Sequence, residues 1–113
     1  MSQVTTHVLD VSLGKPAAGV PVTLELEKTG GPWRELGRGA TDSDGRLKDL
    51  LSPGSLVAGT YRLTFETGPY FASRKVESLY PRVTIVFEVR NANEHYHIPL
   101  LLSPFGYSTY RGS

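Results

Sequence analysis

The chain has 113 residues, with twelve lysines and arginines against eleven aspartates and glutamates, for a formal net charge of +1. That length predicts a single domain over residues 1–113 with one hydrophobic core, and the balanced charge argues against a nucleic-acid or membrane surface built on bulk charge. Cysteine is absent, which excludes disulfides, thiolate metal centres and cysteine nucleophiles.

In chain order, the opening MSQVTTHVLDV lacks a basic start and a long apolar stretch, and no later segment approaches the length of a membrane span. With an ending Arg111-Gly112-Ser113 that is not a peroxisomal address, the expectation is a cytoplasmic protein. Period-2 patterning then dominates. Val20, Val22, Leu24 and Leu26 alternate with Pro21, Thr23, Glu25 and Glu27. Tyr61, Leu63 and Phe65 alternate with Arg62, Thr64 and Glu66, and Val83, Ile85, Phe87 and Val89 with Thr84, Val86, Glu88 and Arg90. Each run reads as a strand with one buried face. Gly30-Gly31-Pro32, Asp42-Ser43-Asp44-Gly45, Ser52-Pro53-Gly54 and Asn91-Ala92-Asn93 are turn signals. Strands are expected near 4–12, 20–28, 33–40, 45–50, 59–67, 82–90, 94–102 and 105–112, with one short helix around Tyr70–Lys75. The fold class is all-β, a sandwich of short strands.

Two segments do not suit a sandwich facing water. Pro99-Leu100-Leu101-Leu102 is apolar on both strand faces, whereas a solvated antiparallel strand alternates. In the first strand His7, Leu9 and Val11 share one parity while Val8 takes the other. Cover by the chain's own loops would explain either segment. A subunit interface explains both.

The histidines are His7, His95 and His97. His95 and His97 are two apart, so a strand points them to one face, where His97 joins Pro99 and Leu101. A lone strand histidine is ordinarily a hydrogen-bonded bystander, and two beside an apolar row weaken that reading. Three imidazoles could hold zinc with a water in the fourth place. Their spacing does not single out such a site, and no carboxylate stands at a recognisable ligand spacing, so no metal is expected. Asp42-Ser43-Asp44-Gly45 is like a calcium loop in part but lacks the ladder of acids and the closing glutamate. It reads as a hairpin turn. Neither a glycine-rich phosphate loop nor a Gly-x-Ser-x-Gly elbow is present. Arg46, directly after the turn glycine, is either a solvated strand-end residue or a planar clamp for carbonyl or anionic oxygens.

Three stretches carry a family resemblance. Thr6-His7-Val8-Leu9-Asp10 followed by Gly14-Lys15-Pro16-Ala17, the stretch Gly39 to Arg46, and the ending from His95-Tyr96-His97 to Tyr107-Ser108-Thr109-Tyr110-Arg111-Gly112-Ser113 resemble transthyretin-related proteins, over essentially the whole chain. The terminal Tyr-Arg-Gly-Ser resembles the 5-hydroxyisourate hydrolase branch of that family. The resemblance implies an eight-stranded antiparallel transthyretin-like sandwich with one short helix, assembled as a homotetramer, a dimer of dimers with sites where the dimers meet. It implies hydrolysis of a purine-derived small molecule, 5-hydroxyisourate, to 2-oxo-4-hydroxy-4-carboxy-5-ureidoimidazoline, without metal or organic cofactor. By the same resemblance His7, Arg46, His97 and Ser113 are catalytic, and Tyr110, Arg111 and Gly112 bind substrate beside them. His95 falls off the catalytic position. The two alternatives are a non-catalytic transthyretin-like ligand carrier and a sandwich with no small-molecule site. A carrier channel would be lined by aliphatic and hydroxyl groups rather than histidine and arginine.

Overall fold

Alternating apolar positions need a second layer to bury them, and in the computed structural model, which describes residues 2–113, two sheets supply that layer for each other. In chain order the strands are β1 (Val4–Asp10), β2 (Lys15–Pro16), β3 (Pro21–Glu27), β4 (Trp33–Ala40), β5 (Arg46–Leu47), β6 (Gly59–Phe65), β7 (Val83–Val89), β8 (Tyr96–Ser103) and β9 (Gly106–Thr109). The helix α1 (Thr67–Ser73) lies between β6 and β7. One sheet has the order β4-β3-β6-β7. The other runs β2-β1-β8-β9, with β5 also paired to β1.

Between the sheets, Val22 and Leu24 of β3, Tyr61, Leu63 and Phe65 of β6 and Val83 and Val89 of β7 face Val4 and Val8 of β1 and Ile98, Leu100 and Leu102 of β8, all buried. Full burial of one such side chain contributes about 1.5–3 kcal/mol. Ion pairs such as Arg38–Glu35 and Arg90–Glu88 are largely exposed and of the kind that contributes about 0–1 kcal/mol. The shared apolar layer therefore holds the sheets together.

The transthyretin-like sandwich and its single helix agree with the sequence reading, with differences that have local causes. The sandwich is mixed rather than wholly antiparallel, because β1 and β8 pair parallel over Val4–Asp10 and Tyr96–Leu102. These strands come from opposite ends of the chain, so no hairpin dictates their direction. The expected first strand stops at Asp10. The chain turns through Gly14, which has positive φ, and returns as the two-residue β2 against Leu9 and Asp10. The expected strand 45–50 shrinks to Arg46–Leu47. The helix begins earlier than expected, at Thr67, with Pro69 in its first turn, where a missing N–H costs little.

Asp10 fastens that helix to β1. Its carboxylate has no solvent exposure and accepts hydrogen bonds from Ser12 Oγ at 2.5 Å, Tyr70 Oη at 2.7 Å and Arg74 Nη1 at 2.7 Å. Burial pushes its pKa up, but the Ser12 and Tyr70 hydrogen bonds and the Arg74 charge outweigh this and hold the carboxyl below its ordinary range. The Tyr70 phenol, partly buried and donating to Asp10, is pushed up to about 12.

Candidate active site

The outer face of the β1–β8 pair carries the site. On β1 the core takes Val4, Thr6 and Val8, so Thr5, His7 and Leu9 face outward; on β8 the core takes Tyr96, Ile98 and Leu100, so His97, Pro99 and Leu101 face outward. The parallel register sets Thr5 beside His97, His7 beside Pro99 and Leu9 beside Leu101. On the other flank of β1, β5 sets Arg46 beside His7.

Arg46 reaches that place through the turn before it. The Asp42 carboxylate accepts the backbone N–H groups of Asp44 at 2.8 Å and Arg46 at 3.0 Å. These bonds, the one from Arg46 foremost, hold the Asp42 carboxyl below its usual range. Gly45 has φ +75°, and a Cβ there would stand 2.4 Å from the Val8 carbonyl oxygen. Only glycine closes this turn and lets β5 dock on β1.

The C-terminal segment completes the wall. Beyond β9 the Gly112 N–H donates to the His97 carbonyl at 2.8 Å, and the two residues form an isolated antiparallel bridge. A Cβ on Gly112 would stand 2.6 Å from His97 Cδ2, so glycine lets the backbone approach the imidazole. Arg111 holds this segment from outside: its Nη2 donates to Glu94 Oε1 at 2.9 Å and to the His95 carbonyl at 3.1 Å, and its guanidinium lies 4.3 Å from the centroid of the Tyr96 ring.

The result is a cavity of about 240 Å³ lined by Thr5, Thr6, Arg46, Lys48, His95, His97 and Ser113. Of the residues that the sequence singled out, Arg46, His97 and Ser113 meet here, and His95 joins them. His7 is not among the lining residues. It stands next to Arg46, and its Nε2 donates to the Asp44 carbonyl at 2.8 Å, which leaves Nδ1 as its free acceptor in the neutral ring. Gly112 touches His97 from behind. Neither Tyr110, which is 57% exposed, nor Arg111 lines the cavity. Thr5, Thr6 and Lys48 were not anticipated. Strand parity could have pointed to two of them, since Thr5 is two residues before His7 and Lys48 two after Arg46.

Two cations and, among the described residues, no aspartate or glutamate side chain line this cavity, so it suits a ligand rich in carbonyl or anionic oxygens. His97 titrates below an ordinary histidine, because partial burial disfavours the imidazolium and His7, His95 and Arg46 add positive charge nearby. A histidine ring biased toward its neutral form, a guanidinium and a serine on one small cavity can take a proton from water and stabilise an oxyanion. A second hollow on the same outer face, lined by residues that include Val11, Leu101 and Tyr107, is mostly apolar.

The family model described as HIUase/Transthyretin family matches residues 4–112. The chain is 50% identical over 109 residues to a 5-hydroxyisourate hydrolase from Salmonella dublin, covering 96% of this chain and 79% of that protein. Among solved structures it is similar to the 5-hydroxyisourate hydrolase of Klebsiella pneumoniae, with 42% identity, a TM-score of 0.87 and complete coverage of both chains. It is similar in fold to sea bream transthyretin solved in complex with thyroxine, with a TM-score of 0.92 but 29% identity, over 97% of this chain and 94% of that one. The backbone alone thus does not separate the two branches, and residue identity favours the hydrolases. Matched from residue 4 to residue 112 and half identical to a bacterial 5-hydroxyisourate hydrolase, the chain belongs to the HIUase/transthyretin family.

Proposed function

We propose that this chain hydrolyses 5-hydroxyisourate to 2-oxo-4-hydroxy-4-carboxy-5-ureidoimidazoline, with His97 as general base and Arg46 as the oxyanion partner. The observation that carries the reading is the meeting of His97, Arg46 and Ser113, from three distant stretches of chain, on one cavity with no aspartate or glutamate side chain among its lining residues. A passive carrier of an aromatic ligand has no need of that set. The His97 imidazole accepts a proton from water as the water oxygen bonds to the ring carbonyl carbon. The carbonyl oxygen becomes an oxyanion facing the Arg46 guanidinium, with Lys48 adding positive charge. Collapse of the tetrahedral species breaks the C–N bond, and His97 returns its proton to the departing nitrogen. The Ser113 hydroxyl hydrogen-bonds substrate or water, and His7, through its free Nδ1, orients the water. One water is added, and the new carboxyl group releases its remaining proton to solvent at neutral pH.

Assembly follows from the outer face. Val11 and Tyr107 are 52% and 43% exposed beside the half-buried Leu101, an apolar patch that continues from the cavity and invites a second copy of the chain. A homotetramer, a dimer of dimers, would cover it and close the cavity at the dimer–dimer contact. Light scattering at micromolar concentration should return four times the chain mass, and a stable, fully active monomer would contradict this assembly.

The reaction is tested by generating 5-hydroxyisourate freshly from urate with urate oxidase and following its ultraviolet decay. The protein should accelerate the decay, with or without a chelator, and a decay no faster than in buffer would overturn the proposed activity. His97→Asn should lower kcat by a factor of about 10²–10⁴, the usual contribution of a general base, and His95→Asn by much less. Steady-state kinetics showing a larger loss for His95→Asn than for His97→Asn would remove His97 from the role of base.

A further inference from the structure

Thr5 is buried, with 4% of its surface exposed, and it faces the cavity rather than the core. Its Oγ1 lies 2.8 Å from His97 Nδ1 and 3.3 Å from His95 Nε2, so one hydroxyl bridges two imidazoles. The bridge is a product of register: Thr5 pairs with His97 across the parallel ladder, and His95 precedes His97 by two residues on the same face. The branched Cβ of threonine also restricts χ1, which fixes the direction of the hydroxyl oxygen.

A hydroxyl carries one proton and can donate to only one of the two rings. If Thr5 donates to His97 Nδ1, the proton of neutral His97 must sit on Nε2. The ring then has no lone pair left for water. If Thr5 instead accepts from His97 Nδ1–H and donates to His95 Nε2, the Nε2 of His97 keeps its lone pair. Of these two, the second makes His97 a base, and it gives the Thr5 hydroxyl proton an acceptor in His95 Nε2. It also needs no rearrangement during turnover, because the imidazolium formed at Nε2 still donates Nδ1–H to the same oxygen.

We infer that Thr5 and His95 together are the positioning pair for His97: His95 Nε2 accepts the Thr5 hydroxyl proton, and the Thr5 oxygen thereby holds the His97 proton on Nδ1. This rests on the proposed role of His97 as base. It gives the threonine of Thr5-Thr6-His7 and the first histidine of His95-Tyr96-His97 a task that the hydrolase reading alone does not assign. Both act through His97 and contact no reacting atom.

The tautomer can be read without substrate. Long-range proton–nitrogen correlation spectra of uniformly ¹⁵N-labelled protein at about pH 8, where histidine is neutral, distinguish protonated from bare ring nitrogens. His97 should carry its proton on Nδ1. Thr5→Val and His95→Phe should each shift its population toward Nε2–H, and Thr5→Ser should restore Nδ1–H. In kinetics, Thr5→Val should lower kcat at least about tenfold, since the loss of a partner that fixes a catalytic histidine tautomer is costly, while KM stays within about twofold and Thr5→Ser recovers kcat. An Nε2–H tautomer in the wild-type protein overturns the relay, as does an unchanged tautomer in either Thr5→Val or His95→Phe. The same spectra stand whether or not 5-hydroxyisourate is the substrate, so failure of the relay and failure of the proposed activity give different results.

Discussion

Everything at the site depends on the parallel register of β1 against β8. Side chains on a strand alternate with a period of two, so a slip of one residue would exchange the core row Val4, Thr6 and Val8 for the outward row Thr5, His7 and Leu9. Burial of Val4 and Val8 against the opposite sheet forbids that slip. Thr6 reinforces it by donating its hydroxyl to the Ile98 carbonyl at 2.6 Å across the same ladder. The hydrophobic core thereby fixes the distance between Thr5 and His97, and the site inherits its geometry from packing that contains no catalytic group.

Two attachments then bring distant chain to this frame. The Asp42 turn delivers Arg46 to the β5 flank of β1, and Gly45 is the residue that allows the backbone to touch β1 there. From the other side Gly112 bonds to His97, while Arg111 is tied to Glu94, the His95 carbonyl and the Tyr96 ring. The closing Tyr-Arg-Gly-Ser thus divides its labour. Arginine anchors, glycine permits approach, and serine lines the cavity.

The strands with one clean buried face were legible, because β3, β6 and β7 alternate strictly and are bounded by turn residues. The two-residue β2 was not, since Lys15–Pro16 has no periodicity and pairs only because Gly14 folds it back. The parallel pairing of β1 with β8 could not be read, being a contact between opposite ends of the chain that no local pattern encodes. Leu101 and Leu9 did announce an outward apolar face. His7, Arg46, His97 and Ser113 were named through the resemblance of their motifs. Thr5 and Lys48 escaped because a threonine or lysine at an outward strand position is ordinarily a solvated residue. The Arg111–Glu94 contact spans seventeen positions, so no local pattern of the closing Tyr-Arg-Gly-Ser encodes it.

The proposed base is neutral His97, in a cationic and partly buried setting. The two quantities to compare are the acid limb of the pH profile of kcat/KM and the His97 pKa titrated by nitrogen NMR. The form that accepts a proton is the neutral one, populated above the pKa, and burial with His7, His95 and Arg46 lowers that pKa. Activity should therefore persist below about pH 6.5, the ordinary histidine value, and the acid limb should coincide with the His97 titration and move upward with it in His95→Phe, which removes one of the nearby charges. An acid limb at or above the ordinary histidine value, or one that stays fixed while the His97 pKa moves, would contradict the account.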